Sequence, residues 1–445
     1  MLFVIVRTLI LEPFGVPTGS MAGTLLGNHR EIACPRCGHP VIVGEFPNER
    51  RNPYAHATCP NCGQRDIDLR RTFDLPGDRL LVDKVVYAFR DPLRWEVAVF
   101  RCPVDDSTPY VKRVVGLPGE SVQILGGDIF VDGEILRKTF DEWKAMAVPV
   151  FDATFAPGDG WRERFTVVPE SQPGLPRVAA DAGRPLTEAE FVDGTLKLES
   201  AEPRTVAFRN RNIETGRDQT YRDTVAYNAG TGVGQAETVH DFAVSCELVW
   251  SKGTVTLQVT DGFDGPTLTF DGKSLTLDRG GGYDPLKIPL ALTPSSPLPI
   301  EFAFVDRTVH VAVAGKPYLQ DVPYPADPTN HGQRPGIDSP LRFSVRDGAV
   351  EFRKLKLTRD VHYRRDGRNG IDAPFRLGND DYFVLGDNSA NSRDSRVWKI
   401  AGVPRGDFLG KPFVIHQAMR SQPLTINGQD RSYPTLDGQR LRRLR

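Results

Sequence analysis

No stretch of this 445-residue sequence reaches the roughly 18–20 consecutive apolar residues that a membrane span requires. The nearest approach is the run at 1–11, MetLeuPheValIleValArgThrLeuIleLeu, which Arg7 interrupts. No small-residue cleavage site follows it, so it does not read as a removable signal either. Net charge is also missing: 56 Lys and Arg against 57 Asp and Glu leave −1, with a sequence pI near 6.7. That removes the electrostatic ground for a nucleic-acid partner. The basic end ArgLeuArgArgLeuArg at 440–445 is expected to be a solvated tail. Internal repeats, low-complexity tracts and a helix-turn-helix pattern are absent as well.

Turn chemistry is plentiful. With 42 Gly, 36 Pro and a hydrophobic period of two, the chain is expected to be mainly β. Its length suits two to four domains. Short strands are expected at 80–87, 96–100, 110–115, 121–125 and 128–132, parted by turns such as ProGlyAsp at 76–78 and LeuProGlyGlu at 117–120. A second series lies between about 140 and 365. It comprises 241–250, 254–259, a hairpin over 301–313 turning at Asp306–Arg307, 341–345 and 350–357. Strands with one apolar face stack into a β-sandwich, and this pattern resembles the concanavalin A-like lectin and laminin-G sandwiches. The resemblance implies a carbohydrate or protein ligand for the insertion.

Cysteine is scarce, and four of the six lie in Cys34-Pro-Arg-Cys37-Gly and Cys59-Pro-Asn-Cys62-Gly. Paired knuckles of this kind suit tetrahedral zinc, with the following Gly easing the turn. Two disulfides are the alternative. A four-thiolate site leaves no open position, so its zinc would be structural and catalysis would need no cofactor. His39 and His56 are expected at the surface, and Cys102 and Cys246 as buried apolar residues.

Three separated stretches carry the chemistry: ProThrGlySerMet at 17–21, TyrValLysArgValValGlyLeuProGly at 110–119, and GlyAspAsnSerAlaAsnSerArgAspSerArg at 386–396. A serine needs a base, and a lysine serves only when its amine is neutral. Burial among Val111, Val114, Val115 and Leu117 would favour that form. Lys112 and Arg113 adjoin on a strand and face opposite sides, so one is expected to be buried and the other solvated. Together the stretches resemble the bacterial type I signal peptidases, Ser/Lys endopeptidases that remove signal peptides from exported proteins. The resemblance covers about a third of the chain and implies Ser20 as nucleophile and Lys112 as general base. It implies the Ser20 N–H and the Thr18 hydroxyl as oxyanion donors, and Met21 as a substrate contact. Ser392 would orient the lysine, and Asp394 and Arg396 would form a supporting ion pair. It further implies preprotein signal peptides as substrates, cut after small residues in an Ala-x-Ala pattern. The catalytic domain would sit on the outer face of the cytoplasmic membrane, in contact with the membrane surface, with its full anchor not visible in this chain.

The sequence departs from the family at Gly23, where proline is usual, and at Trp95–Glu96, where Gly-Asp is usual. It departs again at Ser389–Ala390, where Arg-Asp is common and where only a surface turn is expected to change. The expected division is a nucleophile segment at 1–30, a zinc ribbon at 31–67, and a signal-peptidase-type β core at 68–139 and 366–420. A lectin-like sandwich is expected at 140–365, dispensable for the chemistry, and a basic tail at 421–445. Two competing readings are a self-cleaving repressor-type Ser/Lys peptidase and a binding module on a degenerate peptidase scaffold.

Overall fold

The structure, a computed structural model, describes residues 10–44, 56–70, 72–156, 162–168, 184–186, 190–212, 215–228, 235–326, 328–426 and 429–444. The run expected at 1–11 lies almost wholly outside them. No helix among the described residues is long and apolar enough to cross a membrane.

The fold is mainly β, as the turn-rich, period-two sequence implies. One antiparallel sheet of eight strands runs in the order Leu11–Gly15, Arg79–Asp83, Phe408–Gln417, Val97–Cys102, Asp105–Gly116, Asp381–Leu385 and Val403–Pro404, with Arg442–Arg443 added beside Phe408–Gln417. Strands from both ends of the sequence therefore interleave. Val16, Met21, Leu25, Leu80, Val82, Val97, Val99, Ile415 and Ala418 pack the serine-bearing segment onto this sheet. The basic end is part of the same unit. Arg440 Nη2 donates to Asp78 Oδ2 at 2.6 Å, Arg442 Nη2 donates to the Thr24 carbonyl at 3.1 Å, and Leu444 packs against that core. The tail is thus exposed, as expected, at Leu441, Arg442 and Arg443, yet it is docked and not free: buried acceptors on the core recruit two of its guanidinium groups.

A four-stranded sheet (Glu134–Ile135, Asp128–Val131, Ser121–Leu125, Phe375–Arg376) sits beside the first. The strand expected over 80–87 ends at Asp83. Its Oδ1 accepts from the Val85 and Val86 amides at 3.0 and 3.1 Å, and the chain turns into one helical turn, Val86–Phe89.

The insertion is a large β-sandwich, with fourteen strands among the described residues between Val148 and Arg359. Its spine is two long antiparallel strands, Phe242–Val259 and Leu341–Arg359, each in place of two expected short ones. The register slips between Trp250 and Lys252 and again between Lys252 and Thr254, and Gly253 takes a φ of 82°. A bulge, which reads in sequence as a turn, bends a strand without ending it. The hairpin at 301–313 forms as expected, with Asp306 and Arg307 both at positive φ (46° and 54°), the conformation of a type I′ turn. Val148 stands opposite Arg359, so the insertion's entry and exit strands are neighbours.

Candidate active site

Ser20 lies in a single 3-10 turn, Gly19–Met21, entered through Thr18 in an extended conformation. Lys112 lies within the strand Asp105–Gly116, opposite Ala98. The fold brings these two side chains together: Lys112 Nζ donates to Ser20 Oγ at 2.5 Å. Both are buried, Lys112 to 2% exposure and Ser20 to 9%. Burial lowers the Lys112 amine to about 8, against the opposing pull of Asp394 and Asp387 and with help from Arg396. A cavity of about 370 Å³ opens onto the pair. It is lined on one side by Phe14–Ser20 and on the other by Pro109–Lys112.

Two buried carboxylates organise the rest. Asp394 accepts from Arg396 Nε and Nη2, both at 2.9 Å, and from the Gly386 amide at 3.0 Å. Burial alone would raise the Asp394 carboxyl, but Arg396 outweighs it and holds the group below its ordinary value. Asp387 is the second hub. It accepts from Arg113 Nε at 2.8 Å and Nη2 at 2.5 Å, and from Thr24 Oγ1 at 2.5 Å. Asp387 thereby ties the strand that carries Lys112 to the segment that carries Ser20. Arg113, expected in solvent, is 3% exposed. It does face away from Lys112, but toward Asp387 and the Trp95 carbonyl (2.6 Å), so both sides of the strand are covered.

The remaining expected residues divide. Thr18 is exposed at the edge of the cavity. Met21, expected to touch substrate, has no exposed surface. It packs among Leu25, Leu80 and Val97, and its Sδ accepts from the Asp387 amide at 3.4 Å. Ser392 Oγ is buried close to Asp394 and against the Gly386 turn but has no hydrogen-bond partner, so the contact to Lys112 expected of it is not made. A Cβ at Gly386 would collide with Ser392 Oγ and with the Ser20 carbonyl. Only glycine fits where these two segments meet.

Two departures from the family pattern matter more than expected. Ser389 is 4% exposed rather than on a surface turn. Its Oγ accepts from the Arg364 amide at 2.8 Å and from Arg396 Nη1 at 2.7 Å, which links the end of the insertion to the Asp394–Arg396 pair. Trp95 stands where the family has glycine and adopts a φ of 66°, the left-handed region glycine favours. Sequence reasoning assigned no role to Asp387 or Arg113. The GlyAspAsn run was the available signal for the first; for the second, no residue type in the strand marks which face is covered.

The four knuckle cysteines are free, buried and clustered, with their sulfurs all within 4.8 Å of one another. Cys34 and Cys62 Sγ are 3.6 Å apart, and Cys37 and Cys59 Sγ 3.7 Å. Four thiolates about 2.3 Å from a central zinc would stand about 3.8 Å apart, so the donor set fits that ion. Neither sulfur pair is at the bonding distance that two disulfides would need. Gly38 and Gly63 close the two knuckles at φ 74° and 77°. His39 lies edge-on to Phe155 and His56 is exposed; neither belongs to the cluster. Asn61 fixes the ribbon to the sandwich, accepting from the Asp152 amide at 2.7 Å and donating to its carbonyl at 3.1 Å.

Residues 72–172 and 311–417 match the family described as signal peptidase, peptidase S26. Lys112 and the 386–396 stretch lie in the matched blocks; Ser20 precedes them. Signal peptidase I of Rickettsia typhi is 31% identical over 135 residues, and that of Rickettsia prowazekii 32% over 135 residues. Each alignment covers 30% of this chain and 40% of the relative, so the chain spans well under half the length of these curated relatives. Among solved structures, the carbohydrate-binding module CBM66 from Bacillus subtilis aligns at 8% identity and a TM-score of 0.25, covering 44% of this chain and 94% of that one. An alginate lyase from Corynebacterium sp. aligns at 11% identity and a TM-score of 0.26, covering 44% and 93%. Neither likeness bears on what the insertion binds.

Proposed function

We propose that this chain, which matches the peptidase S26 family over 72–172 and 311–417, is a signal-peptidase-type serine endopeptidase acting through Ser20 and Lys112. The observation that carries the reading is the buried Lys112 amine, lowered to about 8 and 2.5 Å from Ser20 Oγ. A lysine with that pKa is neutral in about a tenth of molecules at pH 7 and in most at pH 9. Its neutral form accepts the Ser20 proton as Oγ attacks the scissile carbonyl. The Ser20 N–H and Thr18 hydroxyl receive the developing oxyanion. Lys112 passes its proton to the leaving amine, and then takes one from the water that releases the acyl group. Asp394 and Arg396 hold the Gly386 turn against Ser20, and Ser392 faces the same junction.

Leu11–Gly15 ends its sheet and borders the cavity, so an extended preprotein segment can add beside it as a strand. The 370 Å³ volume suits small side chains before the cut, in keeping with Ala-x-Ala sites. The proposed setting is the outer face of the cytoplasmic membrane, where exported preproteins emerge. The decisive experiment is cleavage of a model preprotein. Wild type should release the mature protein, and Ser20→Ala and Lys112→Ala should not; cleavage surviving in Lys112→Ala sinks the reading.

The cysteine cluster is proposed to hold one structural zinc through Cys34, Cys37, Cys59 and Cys62. Metal analysis should find about one zinc per chain, lost when Cys34→Ser and Cys37→Ser are combined.

A further inference from the structure

The insertion was expected to stand apart from the chemistry, yet one of its turns reaches the serine. Ala226–Asn228 form a 3-10 turn between sandwich strands. The Tyr227 ring packs with Ala22 and Leu26, and its hydroxyl donates to the Asn28 carbonyl at 2.9 Å. A Cβ at Gly19 would overlap that ring, so with Tyr227 in place no larger residue fits before the serine. Asn228 and Asn388 form a reciprocal amide pair. Asn228 Nδ2 donates to Asn388 Oδ1 at 2.7 Å, and Asn388 Nδ2 donates to Asn228 Oδ1 at 2.8 Å. Asn388 Nδ2 also donates to the Gly19 carbonyl at 2.8 Å, and its backbone amide to the Ser20 carbonyl at 3.1 Å.

The consequence follows from peptide planarity. The Gly19 carbonyl and the Ser20 N–H belong to one trans peptide unit and point in opposite directions. Whatever fixes the carbonyl therefore aims the N–H. Asn388 fixes it only with its amide turned so that Nδ2, not Oδ1, faces Gly19. The reciprocal pair with Asn228 and the Gly19 carbonyl together hold that orientation: Asn388 flipped alone would set like against like across the pair, and both amides flipped would still set Oδ1 against the Gly19 carbonyl. We propose that Asn228, supported by Tyr227, is a positioning residue that the insertion contributes to the site: it orients Asn388 and thereby aims the Ser20 N–H, the oxyanion donor.

This inference rests on the serine endopeptidase reading for its kinetic consequence but has a structural readout of its own. Losing an oxyanion donor outright costs about 10²–10³ in kcat, so misaiming one is expected to cost about 10-fold. In the full chain, Asn228→Leu should lower kcat for a model preprotein about 10-fold with KM within about twofold. The alkaline-rising limb of the pH profile should stay in place, since Lys112 is untouched. Hydrogen exchange of the Asn388 amide, which the Ser20 carbonyl protects, should quicken in the same variant. Asn228→Ala serves if the leucine variant does not fold. Unchanged exchange and unchanged kcat would overturn the proposal. So would a shifted pH limb with a raised KM, which marks general loosening of the site. If wild type cleaves nothing while exchange still quickens, the positioning stands and the peptidase reading falls.

Discussion

Two buried lysines in this protein meet opposite fates. Lys112 and Lys138 are 2% and 3% exposed, and burial pushes both amines toward neutrality. Lys112 has an uncharged hydroxyl at 2.5 Å, and its amine falls to about 8. Lys138 has Asp306 at 2.9 and 3.0 Å and Asp360 at 2.7 Å, and the Trp95 ring 4.7 Å from its amine. Those carboxylates outweigh burial and hold it well above the ordinary lysine value. Burial alone does not make a base; burial without an adjacent carboxylate does. Asp394 and Asp387 do act on Lys112, but each is engaged by its own arginine, Arg396 and Arg113. The two arginines let the site keep buried carboxylates for scaffolding without fully charging the amine. Lys138 instead joins three parts of the chain: the stretch after the small sheet, the hairpin turn at Asp306 and the exit of the insertion at Asp360.

The widest separation between the two should appear on mutation. Lys112→Ala and Ser20→Ala should each reduce preprotein cleavage by about 10³-fold or more while the protein stays folded. Lys138→Met should do the reverse. It leaves two carboxylates buried without their cation and should cost about 3–5 kcal/mol in denaturant unfolding, with cleavage per folded molecule largely kept. Loss of cleavage in folded Lys138→Met would erase the distinction.

A second difference is read on the pH axis. Activity depends on neutral Lys112, so kcat/KM should rise with pH through an apparent value near 8. Stability should follow the same group. Between about 8 and 10.5 the unfolded chain binds a proton at this lysine that the folded chain does not, so stability rises with pH across that window. Below it the folded state carries the full cost of the buried charge, about 3 kcal/mol for a shift of this size. Lys112→Met should therefore be more stable than wild type at pH 7, and the stability slope between pH 8 and 10 should flatten. Urea titrations at pH 7 and pH 9 decide it; a methionine variant less stable at pH 7 would mean that the amine is not strained in the folded protein.

Much of this was legible in the sequence because it is local. The strand at 121–125, the hairpin at Asp306–Arg307 and the cysteine knuckles each announce themselves within a few residues. The pairing of Ser20 with Lys112 was legible through the resemblance alone, since nothing local connects residues 92 positions apart. What could not be read was partnership across the chain. Arg113 looks like any solvated arginine until Asp387, 274 residues on, covers it. Ser389 looks like a turn residue until Arg364 and Arg396 converge on its hydroxyl. Tyr227 and Asn228 carry no motif, and only the fold reveals that a turn of the sandwich rests on Gly19. The long strands look divided in sequence for a related reason, because a bulge such as the one at Gly253 and a true turn look alike in one dimension.

The subtlest test asks whether the arginines really shield Lys112. Asp387 raises the Lys112 amine electrostatically, so neutralising it should lower that amine further. Asp387→Asn should shift the rising limb of kcat/KM toward acid by less than about one unit, a small effect because Arg113 already offsets much of the charge. The variant also leaves Arg113, 3% exposed, without its carboxylate, so unfolding should become easier by a few kcal/mol, and measurements belong at a temperature where the protein remains folded. The oxygen of the introduced amide can still accept one hydrogen bond from Arg113 and one from Thr24, which favours survival of the geometry. Lys138 supplies the control. It lies in the other buried network, so Lys138→Met should leave the limb where it was. A limb that moves toward alkali in Asp387→Asn would show that the lost ties between the Ser20 segment and the Lys112 strand outweigh the lost charge, and that Lys112 owes its low value to packing held by Asp387.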